Sequence, residues 1–282
     1  MRPQVWTGAR GKRVILTGGT GGIGLAAARQ LAGLGAELTI VGRSAQRAEQ
    51  ASASIPRPVD VLIADLSSQR EVRQLAAELL WRYPRVDVLI NNAGAMFGSR
   101  RTSVDGIELT WATNHLSVFL LTNLLLERLI ASQPARIITT ASAAHYRARI
   151  PFDDLQAERS YGRMGFERYG QTKLANVLFT RELAKRLSGA GVTANCFHPG
   201  FVGTGFNHNN GLLMRLGMLV ARLVARSPDK GAETLVWLVD SPEVSATSGA
   251  YFMDCRERRP SHAARDDEAA RRLWEISEQQ VS

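Results

Sequence analysis

Short apolar runs alternate with longer amphipathic segments along almost all of the 282-residue chain. The predicted strands are Arg13 to Thr17, Glu37 to Val41, Val59 to Ile63, Val86 to Ile90, Arg136 to Thr140, Val192 to Phe197 and Gly249 to Phe252. The predicted helices are Gly22 to Leu34, Ala45 to Ser54, Ser68 to Tyr83, Asn114 to Ala131, Phe166 to Ser188 and Asp229 to Val239. Most strand runs are apolar throughout, as expected where helices cover both faces of a parallel sheet. The alternation therefore predicts an α/β fold with a doubly wound parallel sheet of seven strands.

The length suits one large α/β domain, and no linker rich in Pro, Ser or Gly divides the chain. We therefore predict a single domain over 1–282. Its apolar fraction of 45% and its charged fraction of 22% are those of an ordinary soluble protein. The sequence offers no run of about 18 apolar residues to span a bilayer and no signal-like run over Met1 to Arg13. The expected location is the cytoplasm.

The net charge of +9 comes almost entirely from arginine. The arginines are mostly scattered among acids, and their short clusters lack interleaved aromatic residues, so we predict no nucleic-acid partner. Cys196 and Cys255 form neither a metal-ligand spacing nor a disulfide framework, and the histidines share no ligand spacing. We therefore predict no metal site.

One segment interrupts the alternation after the sixth predicted strand. Asn209 to Ser227 has the pattern of an amphipathic helix, with an arginine stripe beside its apolar face. Three interpretations stay open: a surface helix packed on the core, a substrate lid within a 205–227 insertion, or an interfacial helix that gives 209–227 a weak contact with anionic lipid. The last segment, 256–282, is predicted to be a C-terminal helical tail.

A glycine-rich turn, Thr17-Gly-Gly-Thr-Gly-Gly-Ile-Gly24, follows the first predicted strand and leads directly into a helix. Glycines at such a turn let the backbone approach a pyrophosphate, whose charge is stabilised at the helix N-terminus. The glycine spacing satisfies several dinucleotide fingerprints at once, and a tight turn without a ligand is the alternative. Its position between a strand and a helix favours a dinucleotide site.

The end of the second predicted strand indicates which dinucleotide is preferred. A site for NAD places a carboxylate there to accept hydrogen bonds from the ribose hydroxyls. This chain has Gly42, without a side chain, followed by Arg43, whose guanidinium can pair with a 2′-phosphate. The sequence therefore predicts NADP(H) in preference to NAD(H), unless Arg43 is simply solvated.

Two further turns belong to this end of the predicted site. Asp65-Leu66 follows the third strand, where the carboxylate either accepts the adenine amino group or caps the next helix. Asn91-Asn-Ala-Gly94 follows the fourth strand and makes a turn of small residues beneath the cofactor. Adjacent asparagines also occur as simple turn formers, so this motif supports a cofactor site only together with the other motifs.

The predicted chemistry depends on Tyr169-Gly-Gln-Thr-Lys173. A phenol and an ammonium four residues apart share one face of a helix and can enter one site. Ser142, Asn114 and Pro199-Gly200 accompany them at the ends of other predicted elements. Each has an ordinary alternative, such as a surface pair, a helix cap or a loop hydroxyl.

In this order the motifs resemble those of the short-chain dehydrogenase/reductase family, compact type, from about Gly11 to Asp254. The resemblance to its retinol dehydrogenase-like branch is closer. It includes Thr113-Asn-His-Leu116, Leu174-Ala-Asn-Val-Leu-Phe-Thr180, His198-Pro-Gly200 and Ala270-Arg-Arg-Leu-Trp274. The family usually has a serine where this chain has Ala141, and often a serine where it has Thr172. The resemblance implies a single Rossmann-type oxidoreductase domain and a homodimer or homotetramer built on the long helices that begin at Asn114 and Phe166.

Chemistry and the resemblance assign the same roles. Tyr169 is the general acid or base. Lys173, with the nicotinamide cation when the cofactor is oxidised, is expected to pull the phenol pKa below its usual value of about 10. Ser142 would hold the carbonyl oxygen, and the resemblance gives Asn114 a water relay to the lysine. The catalytic residues that we predict are Asn114, Ser142, Tyr169 and Lys173. The predicted cofactor-binding residues are Thr17, Gly18, Gly19, Thr20, Gly22, Ile23, Gly24, Arg43, Asp65, Leu66, Asn92, Ala93, Gly94, Tyr169, Lys173, Pro199, Gly200, Val202 and Thr204.

The expected reaction is the interconversion of an apolar aldehyde or ketone and its alcohol by hydride transfer, with NADP(H). Phe201, Phe206 and Met214 near the predicted insertion favour a lipophilic or polycyclic substrate. Two alternative functions stay open: an extended-type nucleotide-sugar epimerase or dehydratase, and a non-catalytic NADP-binding sensor or scaffold. Retention of both Tyr169 and Lys173 argues against the sensor.

Overall fold

The computed structural model describes residues 8–202 and 225–282, and its centre is one twisted sheet of eight strands. The strands are β1 Arg13–Thr17, β2 Glu37–Gly42, β3 Asp60–Ile63, β4 Val88–Asn91, β5 Ala135–Thr140, β6 Val192–His198, β7 Tyr251–Met253 and β8 Arg256–Arg258. Their order is β3-β2-β1-β4-β5-β6-β7-β8, and the first seven strands are parallel. This is a doubly wound sheet, as the sequence predicts.

Helices cover both faces of the sheet. They are α1 Gly22–Gly33, α2 Ala45–Ala53, α3 Gln69–Arg82, α4 Leu109–Trp111, α5 Ser117–Ala131, α6 Phe166–Arg186, α7 Pro228–Asp240 and α8 Asp267–Val281. A π-helical turn, Ala112–Leu116, joins α4 to α5, and a 3₁₀ turn, Ala143–Arg147, follows β5. Among the described residues, no helix is both long enough and apolar enough to cross a membrane.

Two apolar layers hold this arrangement together, one on each face of the sheet. One layer is formed by α3, α5, α6 and α8, and the other by α1, α2 and α7. Strand β1 contributes Ile15 to the first layer and Leu16 to the second, because successive side chains of a strand point to opposite faces. Both side chains are fully buried. Burial on both faces explains why the strand sequences are apolar throughout.

The eighth strand corrects two predictions. A sheet of seven strands was expected, and 256–282 was expected to be a helical tail. In the structure, Arg256–Arg258 pairs antiparallel with β7, and the helix begins only at Asp267. All three residues of β8 are exposed, so the strand has no apolar run that a sequence pattern would detect. It gains its order from backbone pairing with β7.

Strand order also fixes where a site can lie. The chain runs outward from β1 through β2 to β3, then returns to β4 on the other side of β1. At this reversal the connections diverge and leave a crevice beyond the carboxyl ends of β1 and β4. Most of the predicted lid, 205–227, and most of the predicted helix, Asn209 to Ser227, lie outside the described residues.

Candidate active site

A cleft of about 1450 Å³ lies along the carboxyl edge of the sheet. The glycine-rich turn after β1 lines one part of it, and Ser142, Tyr169 and Lys173 line another. Turns that follow β2, β3, β4 and β6 complete its walls. The cleft therefore collects most of the residues predicted to bind a dinucleotide and a carbonyl compound.

The glycine-rich turn is packed too tightly for side chains. A Cβ atom at Gly24 would lie 2.1 Å from the carbonyl oxygen of Gly18. A Cβ atom at Gly18, whose φ is +69°, would lie 2.8 Å from Cα of Ala93. Helix α1 begins directly after this turn, with Gly21 as an N-cap that offers no side chain. The open N-terminus, with its partial positive charge, fits a pyrophosphate in the cleft.

Two predicted residues support the turn from behind and do not line the cleft. The Thr17 hydroxyl donates to the Ile90 carbonyl oxygen at 3.2 Å and accepts from the backbone N–H groups of Asn92 and Ala93. Gly19 packs on Ile40, so that a Cβ atom there would lie 2.8 Å from that side chain. Both residues fix the shape of the turn.

At the other end of the cleft, the turn after β2 leaves no room for an acidic side chain. A Cβ atom at Gly42 would lie 2.4 Å from Cγ2 of Thr20. Arg43 lines the cleft there, together with Arg29 and Arg47. Sequence reasoning missed the last two, because Arg47 in α2 and Arg29 in α1 reach this part of the cleft only through the fold. The arginines make this end of the cleft electropositive.

Asp65 also lines the cleft, but its carboxylate is engaged locally. Its Oδ1 accepts hydrogen bonds from the backbone N–H and the hydroxyl of Ser67, at 2.9 and 2.8 Å. Ser68, rather than Asp65, is the N-cap of α3. Of the two predicted roles, a contact with adenine and a cap, the structure shows an Asx turn that leads into the cap. Leu66 lines the cleft beside it.

The phenol, the hydroxyl and the ammonium meet where β5 ends. Tyr169 and Ser142 line the same part of the cleft, and the Ser142 side chain acts to lower the pKa of the Tyr169 phenol. Lys173, one turn further along α6, donates from Nζ to the Thr140 carbonyl oxygen at 2.9 Å. Its Nζ lies 5.6 Å from the centre of the Tyr169 ring. The geometry brings together the three groups that the sequence placed in one site.

Burial has the largest effect on the pKa of the Tyr169 phenol. Burial raises the pKa of Tyr169 to about 12, although the Ser142 side chain acts to lower it. Burial also lowers the pKa of Lys173 to about 8. In the chain by itself, removal from water dominates, because it opposes phenolate formation. That Lys173, together with the nicotinamide cation of an oxidised cofactor, lowers the phenol pKa stays a prediction. The phenol is protonated at neutral pH and can donate a proton.

Asn114 is fully buried and does not line the cleft. Its Oδ1 accepts from the Ala95 backbone N–H at 2.7 Å, while its Nδ2 donates to the Ala95 carbonyl oxygen and to the Thr172 hydroxyl. A Cβ atom at Gly94 would lie 3.3 Å from this Oδ1 and 3.5 Å from Lys173 Nζ. Asn114 therefore fixes the turn after β4 beside the lysine. The π-helical turn that carries it was not predicted.

The turn after β6 brings Pro199, Gly200 and Val202 to the cleft. Val202 forms a bridge with Arg226, and the Arg226 guanidinium pairs with the Asp254 carboxylate. Thr204, which was predicted to contact the nicotinamide, lies outside the described residues. His198 also lines the cleft, and burial lowers its pKa to about 4, so its imidazole is neutral.

An apolar rim borders the same cleft near Tyr169. We use this name for Phe97, Met164, Phe166 and Phe201, all of which line the cleft. Phe166 is 58% exposed and Phe201 is 57% exposed. Of these four, sequence reasoning singled out Phe201 alone, because the approach of the other three to the cleft depends on the tertiary fold. Within the described residues, no group of three or more His, Cys, Asp or Glu side chains could hold a metal ion.

The fold and the cleft define a dinucleotide-binding α/β protein with a phenol, a hydroxyl and an ammonium at its reactive end. A family model described as short chain dehydrogenase matches residues 12–153. Retinol dehydrogenase 14 from Homo sapiens is 42% identical, covering 96% of this chain and 86% of the relative. Retinol dehydrogenase 12 from Homo sapiens is also 42% identical, covering 95% of this chain and 85% of that relative.

Solved structures agree with these relatives. An uncharacterised protein from Mycobacterium paratuberculosis has a TM-score of 0.79 and 32% identity, covering 96% of this chain and 94% of that one. A short chain dehydrogenase from Burkholderia cenocepacia J2315, solved in complex with NADP, has a TM-score of 0.68 and 27% identity, covering 86% of this chain and 96% of that one. The chain therefore belongs to the short-chain dehydrogenase family and is retinol dehydrogenase-like. It is an oxidoreductase that acts on CH–OH groups with NAD or NADP.

Proposed function

We propose that the protein interconverts a lipophilic aldehyde or ketone and the matching alcohol, with NADP(H) as the preferred cofactor and Tyr169 as general acid or base. The observation that carries the proposal is that Ser142, Tyr169 and Lys173 line the same cleft as the glycine-rich turn. In this proposal the Ser142 and Tyr169 hydroxyl groups lie where a carbonyl oxygen must be held and protonated.

Each side chain has a separate task in this proposal. Bound NADP(H) would supply or accept the hydride. The Ser142 hydroxyl holds the substrate oxygen, and the protonated Tyr169 phenol donates its proton to that oxygen as negative charge develops. Lys173 places a cation near the phenol, and Asn114 fixes the Ala95 backbone and the neighbouring Thr172. In the reverse direction the phenolate form of Tyr169 accepts the proton from the alcohol.

The preference for NADP(H) is supported by the turn after β2. Thr20 fills the space that a side chain at position 42 would need, so a carboxylate for ribose hydroxyls has no place there. Arg43, Arg47 and Arg29 line that end of the cleft and offer cationic partners to a 2′-phosphate. One structural neighbour was solved in complex with NADP.

The lipophilic substrate class is supported by the apolar rim beside Tyr169 and by the retinol dehydrogenases among the relatives. Exposed aromatic and methionine side chains at a cleft mouth bury apolar ligand surface at about 25 cal/mol per Å². The predicted lid or membrane contact over 209–227 lies outside the described residues apart from its last positions.

The oligomeric state stays a prediction. The interface that the sequence suggested, on the helices now described as α5 and α6, is packed against α8 of the same chain. A homodimer or homotetramer formed on this face would therefore include α8 in its interface. Sedimentation velocity on the full chain measures the assembly directly.

Consumption of NADPH with a panel of aldehydes and ketones tests the proposed function. We expect turnover to be more efficient with long-chain or ring compounds than with short polar ones. Tyr169→Phe should lower kcat by at least about a hundredfold while the Kd of NADPH stays within about twofold, because only the proton donor is removed. A variant with unchanged turnover would contradict the role of Tyr169. Wild-type protein that binds NADPH without reducing any compound would indicate a sensor.

A further inference from the structure

His145 lies three residues after Ser142 and is completely buried. It belongs to the 3₁₀ turn Ala143–Arg147, which begins at Ser142. Its ring lies 4.1 Å from the Tyr146 ring and 4.8 Å from the Tyr251 ring on β7. It does not line the cleft. A buried imidazole behind a catalytic hydroxyl is a polar group whose bonds require an explanation.

Both nitrogens of the His145 ring have a hydrogen-bond partner, and one partner is an acceptor while the other is a donor. Nδ1 lies 2.6 Å from the Ser142 carbonyl oxygen, which can only accept a hydrogen bond. Nε2 lies 3.2 Å from the Ser261 backbone nitrogen, which can only donate one. A neutral ring with its proton on Nδ1 satisfies both contacts at once. Burial also lowers the pKa of His145, which favours the neutral form.

These contacts join Ser142 to a distant part of the chain. Ser261 follows β8, the strand that sequence reasoning missed, and it caps the turn at Ala264 through its hydroxyl. Tyr146 adds a second link, because its hydroxyl donates to the Arg259 carbonyl oxygen at 2.9 Å. The segment 259–261 is thus hydrogen-bonded to the 3₁₀ turn through the side chains of His145 and Tyr146. Of these two side chains, only His145 also contacts Ser142.

We propose that His145 is a positioning residue that fixes the Ser142 backbone, and that the Ser261 N–H holds His145 in the required tautomer. This rests on the proposed function, in which Ser142 holds the substrate oxygen. The Ser142 hydroxyl accepts from the Ala144 backbone N–H, while the Ser142 carbonyl oxygen accepts from both the backbone N–H and Nδ1 of His145. Loss of the Nδ1 bond frees the Ser142 backbone to shift, and a shift of about 1 Å at a reacting group can cost about a hundredfold in rate.

Three variants separate this role from simple packing. His145→Phe keeps an aromatic ring but removes both hydrogen bonds. His145→Asn retains a donor near the position of Nδ1. Tyr146→Phe is the matched control, because it removes the link to Arg259 without touching Ser142. The measurements are kcat and KM with the best carbonyl substrate, the Kd of NADPH by fluorescence, and the thermal midpoint of each variant.

We expect His145→Phe to lower kcat by about tenfold or more, with KM and the NADPH Kd within about twofold. His145→Asn should recover most of the loss, and Tyr146→Phe should keep kcat within about twofold. Equal losses in the Phe and Asn variants, or a folded His145→Phe protein with wild-type kcat, would overturn the proposal.

A second measurement does not depend on activity. In wild-type protein labelled with ¹⁵N-histidine, the imidazole shifts report the tautomer of each ring, and the His145→Asn spectrum assigns the signal of His145. We expect a neutral ring protonated at Nδ1. A ring protonated at Nε2, or a cationic ring at neutral pH, would overturn the positioning proposal. Absence of carbonyl reduction by the wild-type protein would instead refute the proposed function.

Discussion

Lys173 is a cation that the fold encloses almost completely. The side chain is 2% exposed, with the Thr140 carbonyl oxygen accepting its hydrogen bond at 2.9 Å. Burial lowers its pKa from the usual 10.5 to about 8. Between these two values the unfolded chain binds the proton that the folded protein has lost. Stability arising from this group therefore increases as the pH rises from about 8 to 10.5, and the buried charge costs stability below that range.

We expect this cost to be visible in Lys173→Met. When the pH is raised from 7 to 10.5, the unfolding free energy of the wild type should increase by about 2–3 kcal/mol relative to that of the variant. Tyr169 titrates in both proteins and cancels in the difference. Urea denaturation at several pH values measures it. Lys230→Met, at an exposed ion pair with Glu233, is the control and should vary by less than about 0.5 kcal/mol. A pH-independent difference for Lys173→Met would refute the argument.

In the proposed function, Arg43 is the side chain that recognises the 2′-phosphate of NADP(H). Arg43→Ala should raise the Kd of NADPH by about tenfold, since a charge-assisted hydrogen bond to phosphate contributes about 1.5–3 kcal/mol and neighbouring arginines retain part of the attraction. The Kd of NADH should stay within about twofold, because that cofactor has no 2′-phosphate. Arg57→Ala removes an exposed charge outside the cleft and serves as control. Equal weakening of both cofactors would exclude recognition of the phosphate.

At the scale of elements, one buried ion pair connects α4 to α6. Arg168 Nε lies 2.7 Å from Glu108 Oε2, and both side chains are fully buried. The Glu108 carboxylate also accepts from the backbone N–H groups of Thr110 and Trp111, and so caps α4. Arg168 is further bonded to Gln171 and lies 4.8 Å above the Trp111 ring. Because Arg168 precedes Tyr169, this network also holds the start of α6 at the cleft.

Glu108→Gln removes the charge of this pair with little change of shape. We expect it to lower the free energy of unfolding by about 3–5 kcal/mol, since it leaves the Arg168 guanidinium buried without its carboxylate. Glu78→Gln breaks an exposed ion pair with Arg82 on α3 and should cost less than about 1 kcal/mol. Chemical denaturation compares the two variants. Similar losses of unfolding free energy in both variants would show that burial does not determine how much the Glu108–Arg168 ion pair contributes to stability.

The elements show why sequence reasoning predicted some features and missed others. The inner strands β1, β2, β4 and β5 were predictable because burial on both faces favours nearly continuous apolar runs. Strand β8 was not, because Arg256–Arg258 is exposed and ordered by pairing alone. Tyr169 and Lys173 were predictable because helical spacing places them on one face. The partners of Asn114 were not, because Ala95 and Thr172 reach it only through the tertiary fold.

At the scale of the whole molecule, the carboxyl ends of β1 and β4 determine where the cleft opens, so topology predicted its place. The effect of burial on the pKa of Tyr169 could not be predicted, because it depends on how much protein surrounds the phenol, which no local motif records. The apolar rim and His145 were missed for a related reason. Their importance comes from loops and a C-terminal segment that approach the site from distant parts of the chain.

The C-terminal helix α8 packs on the core of the fold through Trp274. Trp274 stacks on Phe179 at 5.8 Å and meets the edge of Phe119 at 4.9 Å. The Arg186 guanidinium lies 4.1 Å from the centre of the Trp274 ring, and the Trp274 indole N–H donates to Glu278. The side chain therefore joins α8 to α5 and α6, which carries Tyr169 and Lys173.

We expect Trp274→Ala to lower the free energy of unfolding by about 3–5 kcal/mol, because it empties a buried aromatic site between three helices. Trp81→Ala removes the same side chain where it is 84% exposed and should change stability by less than about 0.5 kcal/mol. Guanidinium denaturation compares the two, and a single transition for Trp274→Ala would show that α8 unfolds together with the sheet. If Trp274→Ala lost α8 in a separate early transition and kept wild-type kcat, then α8 would be an appendage, and the active site would not depend on its packing.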